Sequence, residues 1–133
     1  MLTKLLREPI NILSAKQTTG TGQSIQVSDA ESIIIAIASS GNGNFTVKVA
    51  GAIGNNPPSF SSAKSVSNHY DYVQAIDLNT GDATDGDVGI VANGTDIIKL
   101  YEVNVASLDW ITLNITAISA GAVTANAMIY AKD

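Results

Sequence analysis

The amino-acid sequence predicts an all-β protein, an antiparallel β-sandwich or jelly roll of about nine strands with an N-terminal extension. Three observations support this fold class. Apolar and polar residues alternate with a period of two through much of the chain, as they do in strands that bury one face. Gly, Asn, Asp and Ser cluster between these segments at short intervals, as they do in turns. Residues 2–7 could form a helical turn, but they are too few for a stable helix.

The N-terminal half contains four predicted strands, over residues 8–14, 23–28, 31–38 and 44–50. Pro9 stands at the start of the first strand, where a missing backbone N–H is tolerated. Residues 33–35 are all isoleucine, an apolar run of the kind found in fully buried strands. Residues 39–43, with the sequence Ser-Ser-Gly-Asn-Gly, predict a hairpin turn.

The C-terminal half contains five predicted strands, over residues 69–78, 88–92, 97–105, 110–117 and 123–130. A long connection over residues 51–68 precedes them, because adjacent prolines at 57 and 58 do not fit a central strand. Asn93 and Gly94 predict a turn. Alternation in the fourth of these strands predicts that Ile111, Leu113 and Ile115 enter the core, with Trp110 near the strand end.

The last part of the chain has no charged residue over residues 110–131, which is long enough for a membrane span of about 20 residues. Thr and Asn alternate with the apolar residues in this stretch, so it predicts strands instead of a spanning helix. The Ser-Ala-Gly sequence at 119–121 predicts the turn of a closing β-hairpin, whose outer face is rich in Thr and Asn.

Composition narrows the class of protein. The chain has 133 residues, enough for one domain with a sizeable core, and charged residues make up 14% against about 25% in an average protein. A net charge of −5 argues against general nucleic-acid binding. No cysteine is present, so neither disulfides nor thiolate metal sites are expected. Glu8 and Pro9 interrupt any signal-peptide core, although the low-charge surface resembles that of extracellular proteins.

The N-terminal residues are predicted to form an arm and a first short strand over residues 1–22, followed by a single sandwich domain over residues 23–133. Residues 1–16 carry a net charge of +2, and residues 71–109 carry −7. An apolar side formed by three leucines suggests that the arm docks on a neighbouring chain; the competing interpretation is that it caps its own sandwich. The predicted interface residues are Leu2, Leu5, Leu6, Arg7, Tyr70 and Tyr72.

An acidic loop and a single histidine are the remaining candidates for site chemistry. Oxygen ligands at this density suit Ca²⁺, but Asp and Gly also dominate ordinary turns, so no metal or cofactor is expected. The candidate calcium ligands are Asp77, Asn79, Asp82, Asp85 and Asp87. His69 has no partner residue that the sequence reveals, and no catalytic motif is present, so the chain is not expected to be an enzyme.

Five aromatic residues could form a platform on which sugars stack, although packing in the core or an interface is the more ordinary role for such residues. They are Tyr70, Tyr72, Tyr101, Trp110 and Tyr130.

Much of the chain resembles small β-sandwich virion proteins of tailed phages and prophages. The resemblance covers about residues 38–131 and lies in the order of "SGNGNFTVKVAG", "DYVQAIDLNTGD" and "VANGTDIIKLYEVNVASLDWITLNITAISAGAVTA". It implies an accessory role in the virion, as a capsid decoration (cement) protein, a head-fibre base or a tail component.

The expected function is therefore that of a virion structural protein, with capsid decoration through protein–protein contacts favoured. The alternative is a carbohydrate-binding or adhesion module of a tail or cell-surface assembly. Expected partners are the major capsid protein, other virion proteins and copies of the chain, as a trimer, and neither nucleic acid nor membrane. Such a protein would be made in the host cytoplasm and released by lysis.

Overall fold

The computed structural model describes the backbone of residues 3–132 and the side chains of residues 8–131. These residues form ten antiparallel strands and no helix, which confirms the predicted all-β sandwich class. No helix long and apolar enough to cross a membrane occurs among them. The strands are β1 Thr3–Lys16, β2 Gly20–Thr21, β3 Ile25–Gln26, β4 Ser32–Ala52, β5 Asp71–Val73, β6 Ala75–Asp77, β7 Ala83–Thr84, β8 Ile90–Asn104, β9 Trp110–Ala120 and β10 Val123–Lys132.

Two long strands, β4 and β8, run through both layers of the sandwich. The first half of β4 lies between β10 and the second half of β8, and the order β1-β10-β4-β8-β6-β7 forms the first layer. The second half of β4 pairs with β9, with β5 and with the first half of β8. β2 and β3 add to the far side of β9 and complete the second layer.

The hairpin turn predicted at residues 39–43 is wrong, because β4 continues through it with a bulge between Ser39 and Asn42. Gly41 has a φ of 69°, and its N–H donates to Asp96 Oδ1 at 2.8 Å. Asp96 itself has a φ of 52° and bends β8 at the same level. The turn residues therefore bend two paired strands from one layer to the other instead of reversing the chain.

The turn predicted at Asn93 and Gly94 is also wrong. Both residues lie inside β8, opposite Asn44 and Gly43 of β4. The strands predicted over residues 88–92 and 97–105 are consequently parts of one strand.

The closing hairpin is a third correction. β9 and β10 follow one another in the chain, but β9 pairs with the second half of β4 and β10 with the first half. Gly121, with a φ of 103°, lies between them, and the N–H of Ala122 donates to Ser39 Oγ at 3.3 Å. This connection crosses between the layers, because β9 and β10 each pair with β4 and not with each other.

The core lies between the two layers and is aliphatic apart from Phe45 and Tyr101. Ile111, Leu113 and Ile115 enter it with at most 2% of their surface exposed, as predicted. Trp110 lies at the start of β9, where its Nε1–H donates to the carbonyl oxygen of Gly54 at 3.0 Å. It packs on a smaller cluster at the outer side of the second layer, formed by Ala50, Ala52 and Phe60.

The N-terminal strand is longer than predicted. β1 pairs with β10 from Thr3 opposite Lys132 to Lys16 opposite Val123, with several register shifts. The backbone of residues 3–16 of the predicted arm is therefore an edge strand of the first layer in its own chain.

Candidate functional site

The five candidate calcium ligands do not form a metal-binding cluster. Among the described residues, no group of three or more His, Cys, Asp or Glu side chains is arranged to hold a metal ion. Asp77 Oδ1 accepts the N–H of Asn79 at 2.8 Å, and Asp85 Oδ1 accepts the N–H of Asp87 at 2.8 Å. These carboxylates act as turn-forming groups, which is the more ordinary role for Asp in such a loop.

The predicted interface residues fall in two separate places. Leu5, Leu6 and Arg7 lie on β1, whose side chains over residues 3–7 are outside the described part, and Leu2 lies outside the described backbone. Their contact with a neighbouring chain stays a prediction. Tyr70 and Tyr72 lie on the outer side of the second layer, around β5.

The five aromatic residues are not arranged as one platform. Tyr101 is buried in the core, and Tyr130 lies on β10 in the first layer. Tyr70, Tyr72 and Trp110 pack around the small cluster that contains Phe60. The Tyr70 ring lies 5.2 Å from Phe60 and 5.9 Å from Tyr72, measured between ring centroids. Three of the five thus share one region, which sequence alone did not group.

A groove of about 310 Å³ runs beside this aromatic group. One wall comes from the long connection over residues 53–70, another from β2 and another from β9. We call it the tyrosine groove. It is lined by Thr19, Gly20, Thr21, Phe60, Ser61, Ser62, Ala63, Tyr70, Tyr72, Asn114, Ile115 and Thr116.

Asn114 of β9 lines this groove and is only 6% exposed. Its Nδ2 group donates to the carbonyl oxygen of Phe60 at 3.2 Å and to Tyr72 Oη at 3.3 Å. Because a carbonyl oxygen can only accept, the amide cannot be turned over without losing the first bond. Asn114 Oδ1 is then left buried without a hydrogen-bond donor. An unpaired buried acceptor of this kind costs about 1–3 kcal/mol.

Charged groups around Tyr72 balance one another. The Lys48 and Lys64 ammonium groups lie 5.0 and 5.5 Å from the centroid of its ring. Lys64 pairs with Asp71 and lies 3.7 Å from Asp87. The hydrogen bond from Lys64, with a second from the Tyr72 N–H, lowers the pKa of Asp71. The four charges around this ring sum to zero.

The outer face of three neighbouring strands of the first layer, β10, β4 and β8, is almost free of charge. Glu102 is the one charged residue among the outward positions of β4 over residues 32–38, β8 over residues 98–104 and β10 over residues 124–130. We call this surface the neutral face. Its apolar members are Ile34, Ala36, Ala38, Ile98, Leu100 and Met128.

One side of the neutral face is concave. Leu78 donates its N–H to the carbonyl oxygen of Leu100 at 3.0 Å, and with Ile98 these residues line a depression of about 320 Å³. Its remaining lining is polar or charged and consists of Asp77, Asn79 and Lys99. Ile98 is 78% exposed, and Leu78 and Leu100 are each 46% exposed. Three large aliphatic side chains left in water side by side are typical of an interaction surface.

His69 is exposed beside Tyr70, and its side chain has no hydrogen bond to a carboxylate in the described part of the chain. The described residues that line the tyrosine groove include no histidine and no carboxylate. The second layer thus carries a polar groove and the first layer an apolar face.

Comparison with known proteins supports the fold. No protein-family model matches the chain, and no curated protein is similar to it in sequence. The SPBc2 prophage-derived protein YomS has a solved structure with a TM-score of 0.68 and 11% identity, over 98% of this chain and 96% of YomS. The PBSX exported protein XepA gives a TM-score of 0.70 and 11% identity, over 98% of this chain and 39% of XepA. The chain thus has the fold of YomS as a whole and of less than half of XepA.

The sequence missed the role of Thr112 and Asn114. Their side of β9 was expected to face outward, yet it is covered by the chain itself. Thr112 Oγ1 donates to the carbonyl oxygen of Gln23 at 2.9 Å, and Asn114 lies under the Phe60 backbone. Alternating Thr and Asn is compatible both with an exposed face and with one covered by loops, so no local signal could distinguish them.

Proposed function

We propose that this chain is a structural protein of a phage or prophage particle, and that it decorates the capsid and stabilises the shell through protein–protein contacts. The observation that carries the proposal is the neutral face. Burying charge at an interface costs free energy that uncharged Ala, Ile and Leu side chains do not lose. The shared fold with the prophage-derived protein YomS supports the phage assignment.

The area required is modest for this molecule. A stable interface takes about 800 Å² from each partner, and the accessible surface of the chain is 6972 Å². The neutral face spans three neighbouring strands and so offers one continuous surface for such a contact. The proposed partners are the major capsid protein, other virion proteins and further copies of the chain, as a trimer. The protein would be located in the virion after synthesis in the host cytoplasm and release by lysis. The protein is proposed to act by binding alone and not as an enzyme.

A charge placed in the neutral face tests the adhesive role. Leu100→Asp is expected to weaken binding to purified undecorated shells by at least about tenfold, because the carboxylate must lose its water when the face is covered. Co-sedimentation with the shells measures the affinity, and light scattering measures self-association. The matched control is Val66→Asp, since Val66 is 91% exposed on the long connection.

The adhesive role is contradicted if Leu100→Asp binds shells as well as the unchanged chain, or if both variants lose affinity equally. The location is tested by imaging particles from the encoding strain with and without the gene. Density for the chain on the outer shell is expected, and density on the tail alone would replace decoration with a tail role. Absence of the chain from purified particles would refute the virion assignment.

A further inference from the structure

We infer that the tyrosine groove binds a neutral saccharide. The site lies on the second layer, away from the neutral face, and the inference does not rest on the proposed function. Its volume of about 310 Å³ is at the lower end of the range of about 300–1,000 Å³ that is usual for small-molecule sites. This size suits a short sugar better than a polymer or a protein segment.

The lining has the mixed character that a sugar requires. A pyranose has an apolar C–H face and a rim of hydroxyl groups, so its site combines aromatic rings with hydrogen-bonding groups. Tyr70 and Tyr72 provide half-buried rings, and Thr21, Ser61 and Thr116 provide hydroxyl groups. Tyr70 is held in place because its Oη donates to the carbonyl oxygen of Ser62 at 2.7 Å. A site whose rings are already fixed loses little entropy when a ligand binds.

Asn114 gives an independent reason to expect a ligand with hydroxyl or amide N–H groups. Its Oδ1 atom is a buried acceptor without a donor, although its Nδ2 group is used twice. Buried polar groups in native proteins are almost always paired, and those that are not call for an explanation. Asn114 Oδ1 is itself shielded from solvent, so a sugar hydroxyl or acetamido N–H would supply the missing donor after a small shift of the groove lining.

Charge distinguishes a neutral sugar from an acidic one. Lys64 is neutralised by Asp71 and Asp87, and Lys48 lies against the Tyr72 ring. An anionic sugar would approach two carboxylates as well as two ammonium groups, and so would gain little from the field. A neutral saccharide is not repelled by these carboxylates.

The test is a titration of the full chain with glucose, galactose, N-acetylglucosamine and their disaccharides at millimolar concentrations. Assigned amide NMR spectra monitor binding at each step. Saturable shifts of the Asn114 side-chain amide and the Tyr72 backbone are expected with at least one of these sugars. Thr116 is an exposed residue of β9, and tyrosine is favoured in strands, so Thr116→Tyr should leave the fold unchanged. The larger side chain should fill the groove and reduce the affinity for the sugar by about tenfold or more. Ser119→Tyr, on the same strand but outside the groove, should leave binding unchanged.

The inference would be overturned by no saturable shift with any member of the panel, by shifts that map outside the groove, or by equal affinity in the Thr116→Tyr variant and the unchanged chain. Equal loss in both tyrosine variants would also overturn it, because the effect would then come from the strand and not from the groove. Shell binding is measured separately, so failure here leaves the decoration proposal standing.

Discussion

Replacing Leu113 with alanine is expected to lower the free energy of unfolding by about 2–5 kcal/mol. Leu113 is fully buried at the centre of β9, opposite Val49 of β4. Both layers contribute aliphatic side chains around it, so the space left by the missing atoms cannot close without moving strands. Urea denaturation, monitored by the fluorescence of Trp110, the single tryptophan, measures the change in the free energy of unfolding.

The matched control for this substitution is Ile98→Ala. Ile98 is 78% exposed on β8, and its truncation should change stability by no more than about 0.5 kcal/mol. A loss below about 1 kcal/mol for Leu113→Ala would mean that the other side of β9 faces the core, since a shift of one residue exchanges the two faces of a strand.

The second large effect is expected for Gly86→Ala, which should cost about 1–3 kcal/mol or more. A Cβ at this position would clash with the carbonyl oxygen of Tyr72 and would lie 2.9 Å from the nitrogen of Val73. Both are backbone atoms of β5, so relief requires a movement of that strand and not a change of rotamer. Denaturation measures the loss, and hydrogen exchange should show faster opening of β5.

Gly94→Ala is the control for the glycine substitution. A Cβ at Gly94 would have no neighbour closer than Ile97 Cγ1 at 4.0 Å, and its backbone has no positive φ. Stability should therefore stay within about 0.5 kcal/mol, or rise slightly as the unfolded chain loses freedom. If Gly86→Ala proved as mild as this control, the close approach of residue 86 to β5 would be wrong.

Strand positions were largely predictable because alternation is a local property. The core positions Ile111, Leu113 and Ile115 of β9 were read directly from the period of two. The apolar run at residues 33–35 predicted a fully buried strand, whereas Ile34 lies half-buried on the outward face. Strand partners were not predictable in this way. Gly41 and Asp96 are turn-forming residues that here bend two paired strands, and only the strand alongside decides between a bend and a reversal.

In the candidate site, too, some residues could be predicted from the sequence and others could not. Tyr70 and Tyr72 stood out in the sequence as interface or sugar-stacking residues. Asn114 did not, because its importance comes from Phe60 and Tyr72, which are 54 and 42 residues away in the chain. Their meeting depends on how the long connection folds back over β9.

Side-chain alternation and composition were enough to predict an all-β sandwich with a sparsely charged surface, because both act at each position independently of the rest. Which uncharged surface remains open to solvent depends instead on how the chain packs. The Thr112 and Asn114 side of β9 is covered by residues 20–23 and 60 of the same chain, whereas Ile98 and Leu100 on β8 remain in water. Burial depends on what packs above a strand, and that is a property of chain topology.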